Sequence, residues 1–305
     1  MCGFTNLIYT KSYTEMWRKM RYAVVTGASS GIGEEFAKAF YKKGYRVILV
    51  ARRKERLLAL QRELTALNGA GVEIMVCNLA QEEDCRTLAK ACYGKRIDYF
   101  VNAAGFGTVG WFRSYPLERD LEMLNVNLKA VVFLTKLLLK YMKSGKIINL
   151  ASTAGFSPNP GMTVYGATKS FLISFGQGVN YELKQQKSLV RVITLCPGPV
   201  DTEFDSKAGS ITTEKSKIRN YFKITTKDCV KQTFSGIQKG KDLIILGNAN
   251  HCLNTISKVI PRNFLLAAKC RIQYAKFAKP LSGDTAKNRL KQEQNRTIQQ
   301  KVKQK

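Results

Sequence analysis

The chain predicts a single doubly wound α/β domain on a parallel sheet, carrying amphipathic helices at its C-terminal side. Three observations lead there. Short apolar runs recur at 22–26, 45–50, 73–77, 97–101, 146–150, 190–195 and 243–246, with the length and character of strands buried on both faces. Longer segments of helical periodicity separate them, the alternation expected of a βαβ chain. A glycine-rich turn follows the first run, Gly27-x-x-x-Gly31-x-Gly33. With 305 residues and no internal repeat, the chain is long enough to bury a large core. The expected organisation is an N-terminal extension over 1–20, the domain over 21–250, an amphipathic helical extension over 251–280 and a basic polar tail over 281–305.

The first run, Ala23-Val24-Val25, ends at Thr26. A helical pattern with Ile32, Phe36, Ala39 and Phe40 on one side begins within the glycines. Strand, tight turn and helix N-terminus together make a phosphate cradle. The glycines let backbone approach closely, the helix offers free N–H groups and its positive dipole end, and Ser29 and Ser30 add hydroxyls. The second run leads to Ala51-Arg52-Arg53. In such folds a residue about twenty positions after the glycine turn meets the adenosine ribose. A carboxylate there would repel a 2′-phosphate, whereas a guanidinium pairs with one. Arg52 and Arg53 therefore favour NADP(H) over NAD(H). The alternative is an ordinary solvated helix start, continued by Lys54 and Arg56.

The third run, Glu73 to Cys77, leads into Asn78, and the fourth, Ile97 to Val101, into Asn102-Ala103-Ala104-Gly105. The apolar stretch Ala130 to Leu139 is broken by Lys136 and is too short to span a bilayer, so it reads as a buried helix. After the fifth run come Ser152 and then Tyr165-x-x-x-Lys169. On a helix, i and i+4 share a face, which sets a fixed positive charge beside the Tyr165 hydroxyl. A free tyrosine titrates at about 10, and bringing it to about 7 takes roughly 4 kcal/mol of differential interaction. A neighbouring ammonium acts in that direction. A tyrosine so tuned can exchange a proton with an alcohol or carbonyl oxygen. The sixth run passes through Cys196 into Pro197-Gly198-Pro199-Val200 and Thr202.

Taken together these residues resemble the short-chain dehydrogenase/reductase family over roughly residues 21 to 245. Thr26 to Gly33 is similar to its T-G-x-x-x-G-x-G loop, Asn102 to Gly105 to its N-[NA]-A-G turn, and Pro197 to Thr202 to its P-G-x-V-x-T segment. Asn127, Ser152, Tyr165 and Lys169 match its catalytic Asn, Ser, Tyr and Lys. The resemblance implies a Rossmann fold and an NADP(H)-dependent exchange of hydride between nicotinamide and a carbonyl or secondary alcohol. It implies cofactor contacts at Thr26, Gly27, Ser29, Ser30, Gly31, Ile32, Gly33, Arg52, Arg53, Asn78, Leu79, Asn102, Ala103, Ala104, Gly105, Tyr165, Lys169, Pro197, Gly198, Val200 and Thr202. Tyr165 would be the proton donor and Lys169 the partner of the nicotinamide ribose. Ser152 would bind the substrate oxygen, and Asn127 would position a water. Asn78 stands where the family usually has an aspartate, so any bond to the adenine there is uncharged. Dimers or tetramers are usual in that family.

Substrate determinants are expected between Gly155 and Thr163 and between Asp201 and Thr226. The second segment carries Lys207, Lys215, Lys217, Arg219 and Lys223, read as a solvated face in preference to a phosphate-binding lid. Phe156, Met162, Phe204 and Phe222 suggest an apolar pocket, suited to a lipid-like substrate. The formal charge is +28, yet no nucleic-acid module is present, and charge alone gives only non-specific binding. Residues 251–280 hold six Lys/Arg and no acid. Leu253, Ile256, Val259, Ile260, Phe264, Leu265, Ala268, Ile272 and Phe277 form two amphipathic patterns broken at Pro261. Packing on the domain is preferred there to contact with a membrane surface. Eight scattered cysteines without C-x-x-C and a single His251 argue against a zinc site and for reduced thiols in a cytoplasmic protein. No signal-peptide pattern is read in residues 1–20. A non-catalytic NADP(H)-binding regulator on the same fold is the competing reading. It has no physical need for all four of Asn127, Ser152, Tyr165 and Lys169.

Overall fold

Seven parallel strands form one sheet in the order β3-β2-β1-β4-β5-β6-β7. The computed structural model describes residues 20–67, 69–204, 223–257 and 259–277. The expected N-terminal extension, most of the basic segment after Asp201 (with Lys207, Lys215, Lys217, Arg219 and Phe222) and the basic polar tail lie outside the described residues. The strands are β1 Arg21–Thr26, β2 Arg46–Ala51, β3 Val72–Val76, β4 Arg96–Asn102, β5 Ser144–Leu150, β6 Leu189–Cys196 and β7 Leu243–Ile245. All seven apolar runs are therefore strands, and the boundaries differ from the sequence expectation by a residue or two.

Helices cover both faces: α1 Gly31–Lys42, α2 Lys54–Thr65, α3 Glu82–Cys92, α4 Leu117–Leu124, α5 Ala130–Leu139, α6 Thr163–Gln185 and α7 Thr226–Gln238. Alternation along β1 divides the core, since successive side chains point to opposite faces. Ala23 and Val25 join Phe36, Phe40, Leu57 and Leu64 on one side. Tyr22 and Val24 join Leu88, Leu134 and Leu138 on the other. Phe40 on α1 lies 4.7 Å from Tyr99 and 5.4 Å from Phe234, ring to ring, which ties α1 and α7 to β4. The segment Ala130–Leu139 is a helix with Ala130, Val131, Leu134 and Leu138 buried, as its composition predicts.

Two further helices follow β7, α8 Asn248–Ser257 and α9 Arg262–Phe277, separated near Pro261. On α8 the expected packing of the apolar face is not seen, whereas α9 has Leu265 and Leu266 half-buried and bonds to the domain through Lys269 and Ser157. On α8 the buried side chains are Asn250 and Asn254, while Leu253 and Ile256 face outward. The Asn250 amide is held inside by local contacts: its Nδ2 donates to the Leu246 carbonyl at 3.0 Å, and its side chain fills the space a Cβ on Gly198 would need.

Candidate active site

The sheet order reverses between β1 and β4, and ligands of doubly wound sheets sit in the crevice at the carboxyl ends of such strands. The turn after β1 lines that crevice. Gly27 and Gly31 adopt φ of +68° and +60°, which side-chain-bearing residues rarely do. A Cβ on Gly27 would lie 2.8 Å from the Ala104 nitrogen, and one on Gly31 2.9 Å from the Thr202 methyl. Gly33 packs onto the Gly27 carbonyl, leaving no room for a side chain. Ser30, at the N-cap of α1, makes no side-chain capping bond, so that cap does not take up the opening N–H groups of the helix. Thr26 Oγ1 donates to the Val101 carbonyl at 3.1 Å and accepts from the Ala103 and Ala104 N–H groups at 3.1 and 3.2 Å. One hydroxyl thus fixes the Asn102–Gly105 turn beside the cradle. Asn102 Nδ2 donates in turn to Asn149 Oδ1 at 2.9 Å.

The two arginines after β2 do different things. Arg52 turns to α4 and pairs with Glu122 at 2.8 Å. Arg53 turns into the cradle: its Nη2 donates to Ser29 Oγ at 3.0 Å and Ser30 Oγ at 2.8 Å. Glu203 bridges Arg53 at 2.9 Å and Arg56 at 2.8 Å. In the sequence Arg56 reads only as the continuation of a solvated helix start, and Glu203 does not stand out. Glu203 is 150 residues from Arg53, and no local pattern joins them. The Asn78 backbone N–H donates to Asp84 Oδ2 at 2.6 Å, and Asn78 Oδ1 accepts from the Ala80 N–H at 3.3 Å. Ile32 and Leu79 are buried in the core, so what they offer the crevice is backbone.

Ser152, Tyr165 and Lys169 gather at the ends of β5 and β6. Tyr165 and Lys169 lie on α6 at 8% and 5% exposure. Lys169 Nζ donates to the Leu150 carbonyl at 2.6 Å and stands 5.5 Å from the centre of the Tyr165 ring. Burial pushes the Lys169 ammonium down to about 8 and the neighbouring Cys196 thiol up to about 12. Cys196 therefore supplies no counter-charge near neutral pH. Ser152 Oγ accepts from the Ala154 N–H at 3.1 Å and lies 3.4 Å from the Pro197 carbonyl, tying the short 3₁₀ turn Thr153–Gly155 to the Pro197-Gly198 turn. Asn127 sits in a π-turn, Asn125–Lys129, between α4 and α5; such turns frequently mark functional positions. Its Nδ2 donates to the Phe106 carbonyl at 2.9 Å and Thr168 Oγ1 at 3.2 Å, and its Oδ1 accepts from the Phe106 N–H at 3.2 Å.

The Phe204 ring lies 5.2 Å from that of Tyr165. Gly107 makes this possible, because a Cβ there would lie 2.9 Å from both rings. Gly107 and Phe204 thus shape the wall opposite the tyrosine. The whole arrangement fits an extended dinucleotide. A side-chain-free cradle lies in the middle, guanidinium groups flank its one end, and a buried ammonium with a tyrosine stands at the other.

A family model for the short chain dehydrogenases matches residues 21–211. An uncharacterised oxidoreductase of Staphylococcus epidermidis is 34% identical over 189 residues, covering 60% of this chain and 80% of that protein. The very-long-chain 3-oxoacyl-CoA reductase of Anas platyrhynchos is 33% identical over 180 residues, covering 56% of this chain and 58% of that protein. Among solved structures, a short-chain dehydrogenase from Sphingobium yanoikuyae in complex with NADPH superposes with a TM-score of 0.69 at 28% identity, over 81% of this chain and 95% of that one.

Proposed function

Since the chain belongs to the short-chain dehydrogenase family, a family of oxidoreductases using a nicotinamide cofactor, we propose that it is an NADP(H)-dependent enzyme acting on a carbonyl or secondary alcohol. The observation that carries the reading is Tyr165 and Lys169 buried side by side on α6, at the carboxyl edge of the sheet. The nicotinamide, when bound, supplies or accepts the hydride. Tyr165 gives the proton to the substrate oxygen, or takes it in the reverse direction. The Lys169 charge, little screened in its buried position, favours the Tyr165 phenolate and so eases that transfer. Lys169 Nζ also carries two N–H groups beyond the one given to Leu150, available to the nicotinamide ribose. Ser152 binds the substrate oxygen. Asn127 holds the Phe106 peptide and, with it, the loop over the site.

At the other end, Arg53 and Arg56 bind the 2′-phosphate, which takes the place of the Glu203 carboxylate now bridging them. Arg53 already donates to both serines of the cradle, and a guanidinium held by several partners is positioned in advance. Arg52 faces Glu122 and serves to position this corner. A 3-oxoacyl or comparable lipid-sized carbonyl suits the wall of Phe204, and the reductase from Anas platyrhynchos is a relative named for such a substrate. The enzyme is further proposed to self-associate through α4 and α6, where Leu117, Leu121, Leu124 and Phe171 are exposed. NADPH oxidation by the purified chain, across ketones, aldehydes and 3-oxoacyl thioesters, tests the reading. Turnover with one of these classes is expected. Absence of both turnover and NADPH binding would end it.

A further inference from the structure

We propose that the outer face of α8, the turn at Val259 and the start of α9 form a docking surface for an anionic lipid bilayer, set beside the mouth of the active-site crevice. The first observation is an inverted helix. Asn250 and Asn254 of α8 are buried at 4% and 7% exposure, while Leu253 and Ile256 stand out at 53% and 48%, followed by Val259 at 82% and Phe264 at 71%. A helix of a soluble domain normally turns its apolar stripe inward. Amides inside and four large apolar side chains exposed, within a dozen residues of sequence, are the kind of reversal that marks an interaction site.

The second observation is charge. From Leu243 to Gly283 the chain has no Asp or Glu and six Lys/Arg, of which Arg271 is exposed on α9. The occupant must therefore accept apolar side chains borne by a segment with cations and no acid. A second copy meeting this face by a two-fold axis would set two acid-free, basic segments against each other. The chain's own segment 281–305 carries seven Lys/Arg and few large apolar residues, so it matches neither requirement. An anionic bilayer meets both: its acyl boundary takes Leu253, Ile256, Val259 and Phe264, and its headgroups take the cations. No helix among the described residues is long and apolar enough to cross a membrane, so the contact lies in the plane of the surface.

The third observation is position. Asn250 packs on Gly198 of the Pro197-Gly198 turn. Lys269 of α9 donates to Ser157 Oγ at 2.5 Å, on the stretch that joins Ser152 to Tyr165. Docking through this face brings the domain to a bilayer, where an apolar carbonyl compound is concentrated. That consequence for the substrate rests on the reductase reading, whereas the docking itself does not.

Co-sedimentation of the full chain with vesicles tests the proposal. Equimolar phosphatidylcholine and phosphatidylglycerol vesicles are expected to bind it, and high salt to weaken the binding. Replacing the four apolar residues together (Leu253→Ser, Ile256→Ser, Val259→Ser, Phe264→Ser) should lower binding about tenfold or more. Arg271→Glu should lower it several-fold, and both variants should retain the wild-type melting curve. Absence of wild-type binding, or equal binding by the four-serine variant, would overturn the proposal. So would a smaller oligomer for that variant than for the wild type, since a second copy would then be the occupant. Sedimentation needs no turnover, so a failure here leaves the reductase reading intact, and a silent enzyme leaves the docking intact.

Discussion

Lys169 carries its ammonium into the interior with a carbonyl and a neutral thiol for company. A buried charge without a counter-charge costs stability, and that cost is where catalysis and stability part. The folded group titrates at about 8, below the unfolded value of about 10.4. Between these limits the unfolded chain binds more protons, so wild-type stability rises with pH across that window. Below it, both states are charged and the folded state bears the whole burial cost. Lys169→Met is therefore expected to abolish turnover yet melt higher than the wild type near neutral pH. The gap should narrow as pH climbs through about 8. A variant that melts lower at every pH would contradict this assignment. At the other end of the crevice, Arg53→Ala should weaken NADPH by about ten- to a hundredfold while leaving NADH within about twofold, read by fluorescence titration. Arg52→Ala should do less, because Arg53 and not Arg52 donates to the serines of the cradle. Equal losses for NADPH and NADH would remove the 2′-phosphate role from Arg53.

The glycine turn and α1 act as one unit, because Gly33 rests on the Gly27 carbonyl and Gly27 on the Ala103-Ala104 backbone. Gly33→Ala forces backbone apart, not a flexible side chain. Its expected effect is a loss of at least about tenfold in NADPH affinity together with a lower melting temperature. An unchanged affinity would show that the cradle does not hold the cofactor. Elements of this kind were legible before any coordinates. Val24, Val25 and Ile148 announce buried strands by composition, and Gly27-x-x-x-Gly31-x-Gly33 announces a turn that no residue with a side chain can make. Glu203 was not legible: its bond to Arg53 crosses 150 residues and depends on how the chain folds back after β6. Nor was the inward face of α8. Its apolar residues recur at helical spacing, and spacing says which residues share a face without saying which way that face points.

At the scale of the whole molecule, the parallel sheet brings residues from β1, β4, β5 and β6 to one crevice, and apolar side chains are exposed on α4 and α8. The face with Leu117, Leu121 and Leu124 on α4 is proposed to join copies of the chain. Leu121→Asp with Leu124→Asp should shift the oligomer toward monomer by light scattering, and an unchanged mass would refute that assignment. The central claim is that the buried Tyr165 moves the proton while the crevice holds NADP(H). It is tested most directly by measuring NADPH binding and NADPH oxidation side by side for the wild type and Tyr165→Phe. The account predicts NADPH affinity unchanged within about threefold and turnover lower by at least about a hundredfold in the variant. Near-wild-type turnover by Tyr165→Phe would contradict it.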